Sequence, residues 1–278
     1  MYSLPNSLQG AVASALNQRY GELYEPEVSG GVLLEDTLEE ILGSFQQNQP
    51  LLGQLRYVWM ALTLAAIVEP TVKYYQPDSQ IPEKTIGLLT DWLLETLVEM
   101  LAPKKQLRSS SKNTHSNISL DLKHLLSVNE LSSLQVLSEA LDVYREALET
   151  LEPDRSLQAL LNILEDCLEG YAIFPGADGR RELFNWWLSD VVPSCWYLLP
   201  PTSAYSLKDA DRSFALSRLE KISSSVWFLI KSGVQNKKEN SKYLLSKNTL
   251  FAVDDGIGIQ IKYSHSILSS TNVYSEVL

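Results

Sequence analysis

The stretch YVWMALTLAAIV, Tyr57 to Val68, decides the class of this fold. Within Leu51 to Glu69, the residues Leu55, Val58, Trp59, Leu62, Ala65 and Ala66 recur at i, i+3, i+4, i+7 spacing. The opposite side, with Met60, Leu64 and Ile67, is apolar as well. A segment with helical period that is apolar all round belongs at the centre of a protein. The uninterrupted run is 12 residues long between Arg56 and Glu69. A bilayer needs roughly 20 such residues. The stretch therefore predicts a core helix and no membrane role, with Pro70 ending or kinking it.

Towards the N-terminus, a helix is expected from about Pro5 to Arg19, closed at Gly21. A second is expected over Thr37 to Gln47, where Asp36 and Glu39 fit a capping box. On the other side, Ile86, Leu89, Leu93, Leu97 and Met100 make the inner stripe of a helix over Pro82 to Leu101. Leu134, Leu137, Leu141, Tyr144, Leu148 and Leu151 then form a narrow 3-4 seam. Glu139, Asp142, Glu146 and Glu149 follow a similar spacing and are expected in water. After Pro153, with Asp154 as cap, a partner helix carries Leu157, Leu160, Leu161, Leu164 and Leu168, which makes an αα-hairpin. A short helix over Arg180 to Val192, capped by Asp178, buries Phe184, Trp187, Leu188 and Val191. A long one over Ser206 to Ser232 buries Leu219, Ile222, Val226 and Leu229.

The expected fold is therefore all-α: an antiparallel helical bundle or two stacked helical lobes, with a short C-terminal β-hairpin. The expected divisions are an N-terminal lobe at 1–102, a basic, Ser-rich linker or loop at 103–119, a C-terminal lobe at 120–234, and a polar tail at 235–278. In that tail LFAV and IGIQIKY flank Asp255-Gly256, a hairpin turn signal.

Hydrophobic residues make up 45% of the chain and charged residues 21%, a globular composition. The net charge of −11 is uneven. Residues 1–170 hold 11 Lys and Arg against 24 Asp and Glu, whereas 171–278 hold 12 against 10. The front of the molecule should repel phosphate backbones, so no nucleic-acid partner is expected there. A cationic protein surface suits it better. Cys167 and Cys195 lack metal-ligand spacing and read as small core side chains in a reducing, cytoplasmic setting. The first residues, MYSLPNSLQG, lack the pattern of a secretory signal.

Most catalytic signatures are absent from the sequence. There is no HExxH, no GxSxG and no GxxxxGK[ST]. Asp121 and His124 share a helical face without a second such pair, and Ser109-x-x-Lys112 falls in the polar linker. No metal or cofactor is expected. Asp254-Asp255-Gly256-Ile257-Gly258-Ile259 resembles the DxGxG box of the ATPase family that includes histidine kinases, gyrases and the ninety-kilodalton heat-shock chaperones. The resemblance implies that Asp254 contacts adenine and that the glycines admit the nucleotide. It covers six residues. The upstream helix EKISSSVWFLIKSG lacks the Mg²⁺-binding Asn that the family requires.

The segment after Gly170 offers the expected partner-binding residues: Arg180, Arg181, Glu182, Trp186 and Trp187. Exposed Trp beside Arg is hot-spot composition, although the two indoles point about 100° apart on a helix. The expected function is a non-enzymatic protein–protein interaction module: a scaffold, chaperone, regulator or neutralising partner. Two alternatives stand beside it. One is an enzyme using an Arg/carboxylate site on a small anionic substrate, and the other is a helical bundle that binds a ligand. A homo-oligomer stays open.

Overall fold

The computed structural model describes residues 4–25, 31–46, 49–101, 135–176, 179–206 and 208–240, with side chains as far as 233. The helices are α1 (Asn6–Asn17), α2 (Leu34–Gly43), α3 (Pro50–Tyr75), α4 (Ile81–Leu101), α5 (Gln135–Glu149), α6 (Ser156–Leu164), α7 (Gly179–Trp186), α8 (Val192–Trp196) and α9 (Asp209–Asn240). Two 3₁₀ turns, Gly21–Leu23 and Ser44–Gln46, flank α2. Two π-turns follow α6 and α7, at Glu165–Glu169 and Trp187–Val191. No strand occurs among the described residues, and the expected hairpin around Asp255-Gly256 lies outside them. So do the linker at 103–119, Asp121, His124, Asp178 and the DxGxG-like segment.

The central helix is the one expected, and it is longer. Every residue of α3 from Leu52 to Val68 is buried, and α4, α5, α6 and α8 pack around it. By length and composition α3 could cross a membrane, but 94% of its most apolar window is buried inside this fold. That burial accounts for its apolar character. Pro70 does not end it. The proline leaves the carbonyl one turn back without its usual donor. Close by, the Tyr144 hydroxyl donates to the Ala65 carbonyl at 2.6 Å, and Thr71 Oγ1 donates to the Ala172 carbonyl at 2.9 Å. Side chains and backbone from later in the chain thus hold the helix through the proline.

Arg56, which brackets the apolar run in sequence, lies inside the protein at 6% exposure. Its Nε donates to the Trp196 carbonyl at 3.0 Å and its Nη1 to the Phe45 carbonyl at 3.2 Å. The guanidinium lies 3.4 Å over the Trp196 ring. Backbone carbonyls and an aromatic face replace the carboxylate that a buried arginine usually finds. At Gly53 a Cβ would sit 2.9 Å from Gln46 Cα, so glycine lets the start of α3 cross the 3₁₀ turn closely.

Two expected caps need correction. Helix α2 begins at Leu34, so Asp36 lies in its first turn and makes no side-chain cap. Instead Glu22, from the preceding 3₁₀ turn, accepts the Leu34 N–H at 3.2 Å. Asp154 does not cap α6; the cap position is Arg155. Among the described residues, α3 packs against α5 and α6 across the expected lobe boundary. Helix α9 runs on past Ser232 to Asn240. The helix periodicity ends near Ser232 because the following residues are polar, yet the backbone stays helical.

The seam on α5 packs within the chain: Leu137, Leu141, Tyr144 and Leu148 are all buried. Its acidic companions do not stand in water as expected. Glu139, Asp142 and Glu146 are half-buried and Glu149 is buried. Arg145 pairs with Asp142 at 2.6 Å, and Arg155 pairs with Glu149. The neighbouring π-turn covers the start of this row.

Candidate functional site

The expected Arg/Trp surface is mostly interior. Trp187 is fully buried, Trp186 is 9% exposed and Arg180 is 5% exposed. Trp186 Nε1 donates to the Ser203 carbonyl at 3.1 Å, and Trp187 stacks on Phe184 with ring centroids 5.9 Å apart. The π-turn Trp187–Val191 winds the helix more loosely than an α-turn, and both neighbouring indoles face inward. Arg180 Nη1 donates to the carbonyls of Leu168 and Gly170 at 2.7 and 2.6 Å. Arg181 reaches back to α1, donating to the carbonyls of Leu16 and Gln18. It also lies 3.3 Å from Glu25 Oε2. Burial pushes the Glu25 carboxyl up, but the Tyr20 N–H, Arg19 and Arg181 together bring it below its ordinary value. Among the five, only Glu182 is exposed. The arginines open α7 against its dipole, and carbonyls at the ends of other segments accept from them.

The structure assembles a different feature from residues far apart in sequence. A groove of about 170 Å³ is lined by Glu22, Leu33, Glu35, Leu38, Gln158, Leu161, Asn162, Glu165 and Glu169. The 3₁₀ turn supplies Glu22, the start of α2 with its cap residue supplies Leu33, Glu35 and Leu38, and α6 with its π-turn supplies the rest. Leu38 and Leu161 are buried, and Leu33 is 54% exposed. Glu22 is tied to the Leu34 N–H, and Gln158 donates to Asn162 at 3.0 Å. Among the described residues, no cation lies within ion-pair distance of Glu35, Glu165 or Glu169.

This crowding has an electrostatic consequence. Burial raises the Glu169 carboxyl above its ordinary value, with Glu165 and Glu22 adding to the effect and Arg180 opposing it. Next to it, burial together with Asp142, Glu139 and Glu165 pushes Asp166 up to about 8, against the pull of Arg145. Chemically the groove can hold a positive charge on an apolar floor. It forms no metal centre: among the described residues, no group of three or more His, Cys, Asp or Glu is placed to hold an ion.

An α-helical wheel, with residues 100° apart, places Glu165, Asp166 and Glu169 on a solvated face, whereas the π-turn adds a residue to the turn and re-aims the side chains after Leu164. Glu22 and Glu35 carry no local signal at all; only the packing of α2 on α6 brings them there. Comparison of this chain with family models, curated proteins and solved structures finds no match.

Proposed function

We propose that this protein is a non-enzymatic interaction module whose acidic groove seats a Lys or Arg side chain of a protein partner. The observation that carries the reading is the set of three carboxylates, Glu35, Glu165 and Glu169, that have no cation at ion-pair distance among the described residues and that surround Leu33, Leu38 and Leu161. A long cationic side chain lays its methylenes along apolar surface and places its head among acids. At about 170 Å³ the groove falls below the roughly 300–1,000 Å³ of small-molecule sites. That favours a side chain over a free substrate or a drug-sized ligand. The enzyme reading draws less support, because Arg180 and Arg181 are spent on backbone carbonyls and Glu25. A reducing, cytoplasmic setting fits the two free, buried cysteines.

The test is binding of a Lys/Leu-alternating peptide to the intact protein. Affinity should fall about tenfold or more as salt rises from about 0.05 M to about 0.5 M, since exposed charge pairs are screened. The charge reversals Glu35→Lys and Glu165→Lys should each weaken binding, whereas Glu182→Lys, away from the groove, should not. Equal losses for all three would show a diffuse acidic surface and remove the groove from the account.

A further inference from the structure

We propose that the acidic groove continues into an aromatic ledge, Tyr24 and Tyr171, on which the protein partner sets an aromatic side chain two residues away from its Lys or Arg. The ledge extends the proposed docking groove and stands only if that groove binds the partner. Glu22 and Glu169 line the groove, and each is followed two residues on by a tyrosine. The 3₁₀ turn that carries Glu22 packs on the π-turn that carries Glu169. The two tyrosine rings meet over one guanidinium: Arg180 Cζ lies 4.7 Å from the centroid of the Tyr171 ring and 5.3 Å from that of Tyr24. Burial raises the Glu169 carboxyl and Arg180 opposes it, so the same guanidinium borders the groove. The rings nonetheless reach the surface: Tyr24 is 76% exposed and Tyr171 is 39% exposed.

Arg180 accounts for the placement of the rings. Its Nη1 donates to the Leu168 and Gly170 carbonyls, but its buried Nη2 has no hydrogen-bond acceptor among the described residues. A buried donor left in that state costs free energy, and the two ring faces offset it by attracting the cation. The ledge is also held in place before any partner arrives. Tyr24 sits at φ 57°, ψ 32°, a left-handed conformation uncommon for a bulky residue. Its N–H donates to the Gly21 carbonyl at 2.9 Å. The next side chain, Glu25, accepts from the Tyr20 N–H at 2.8 Å and from Arg19 at 2.7 Å. On the other side, the Tyr171 N–H donates to Glu139 Oε2. Rings fixed beforehand lose little freedom on binding, which is why tyrosine serves binding surfaces well. Charge decides what the ledge takes. A second cation on the outer faces would meet the Arg180 charge through the rings, whereas a neutral aromatic ring gains edge or offset contacts without that repulsion. The cationic side chain is thus sent to the acids and the aromatic one to the tyrosines. In an extended segment, side chains two residues apart face the same side at about 7 Å from one another, which suits the two-residue step from each acid to its tyrosine.

The measurement is titration of the full chain with two peptides that differ at one position, Lys-Ser-Phe against Lys-Ser-Ala between the same polar flanks. On the wild-type protein the Phe peptide should bind about tenfold more tightly, the effect expected of one hot-spot aromatic contact. On Tyr24→Ala and on Tyr171→Ala that advantage should shrink to less than about threefold; pairing the protein change with the peptide change isolates the contact from any effect on folding. Tyr24→Phe keeps the ring and should keep the advantage. If either alanine variant loses its helical circular dichroism, the other carries the comparison. A peptide with Phe moved next to Lys, which turns it to the opposite face of an extended backbone, should bind like the Ala peptide. An advantage equally large on wild type and on both alanine variants overturns the ledge. If neither peptide binds, the groove is refuted and the ledge falls with it. If both bind the wild type alike, the groove stands and the ledge alone is refuted.

Discussion

Replacing Asp166 by Asn should stabilise the protein, and by an amount that grows with pH. An acid raised from 3.8 to about 8 binds its proton more tightly in the native state than in the unfolded chain. Between those values the native state holds more protons, so stability falls as pH rises and levels off above about 8. Below about pH 4 both states are protonated and the side chain costs nothing electrostatically. At about 1.4 kcal/mol per tenfold, the full shift sets a ceiling of about 6 kcal/mol. Asp166 is half-buried, and water and side-chain relaxation will screen part of that. A gain of about 2 to 3 kcal/mol at pH 9 is the working figure, shrinking to under about 1 kcal/mol at pH 5. Urea denaturation of both proteins at several pH values measures it, and taking the difference at each pH cancels the titrating groups that are not coupled to Asp166. A difference that stays flat from pH 5 to pH 9 would mean that the carboxyl titrates alike in both states and that no such stabilisation exists.

Two further outcomes follow from the same structure. Gly170→Ala should cost about 2 to 3 kcal/mol in urea unfolding, since the new methyl meets backbone at 2.6 Å and cannot be relieved by a side-chain rotation. A loss below about 0.5 kcal/mol would mean the turn has room that these contacts deny. Arg181→Ala should cost about 1.5 to 3 kcal/mol and loosen the last turn of α1, because the Leu16 and Gln18 carbonyls lose a charged donor. Exchange protection in α1 checks it; a uniform change across the chain would argue against a local role.

The placement of negative charge links these outcomes. Acids on α5 and on the π-turn that follows α6 face one another across a narrow contact, and the arginines nearby are engaged by carbonyls or by other acids. Charge that looks like a solubilising coat in the sequence is therefore partly a strained internal surface. The proposed groove draws on the same charge, at Glu35, Glu165 and Glu169.

What the sequence determined by itself was the helical class, the identity of the core helix and the inward stripes. Leu137, Leu141, Tyr144 and Leu148 on α5, Phe184 and Trp187 on α7, and Leu219 and Val226 on α9 are buried as their spacing requires. Periodicity suffices there because burial of apolar side chains once per turn is a local property of the chain. Tertiary structure decided where the charges go. Arg56, Arg180 and Arg181 turn inward because carbonyls from distant segments stand ready to accept from them. α3 runs through Pro70 with Tyr144 and Ala172 bonded on either side of the break. The groove exists only because α2 and the first 3₁₀ turn meet α6 and its π-turn. A charged side chain is placed by the partners it finds, and those partners lie far away in sequence, so no local pattern can announce them.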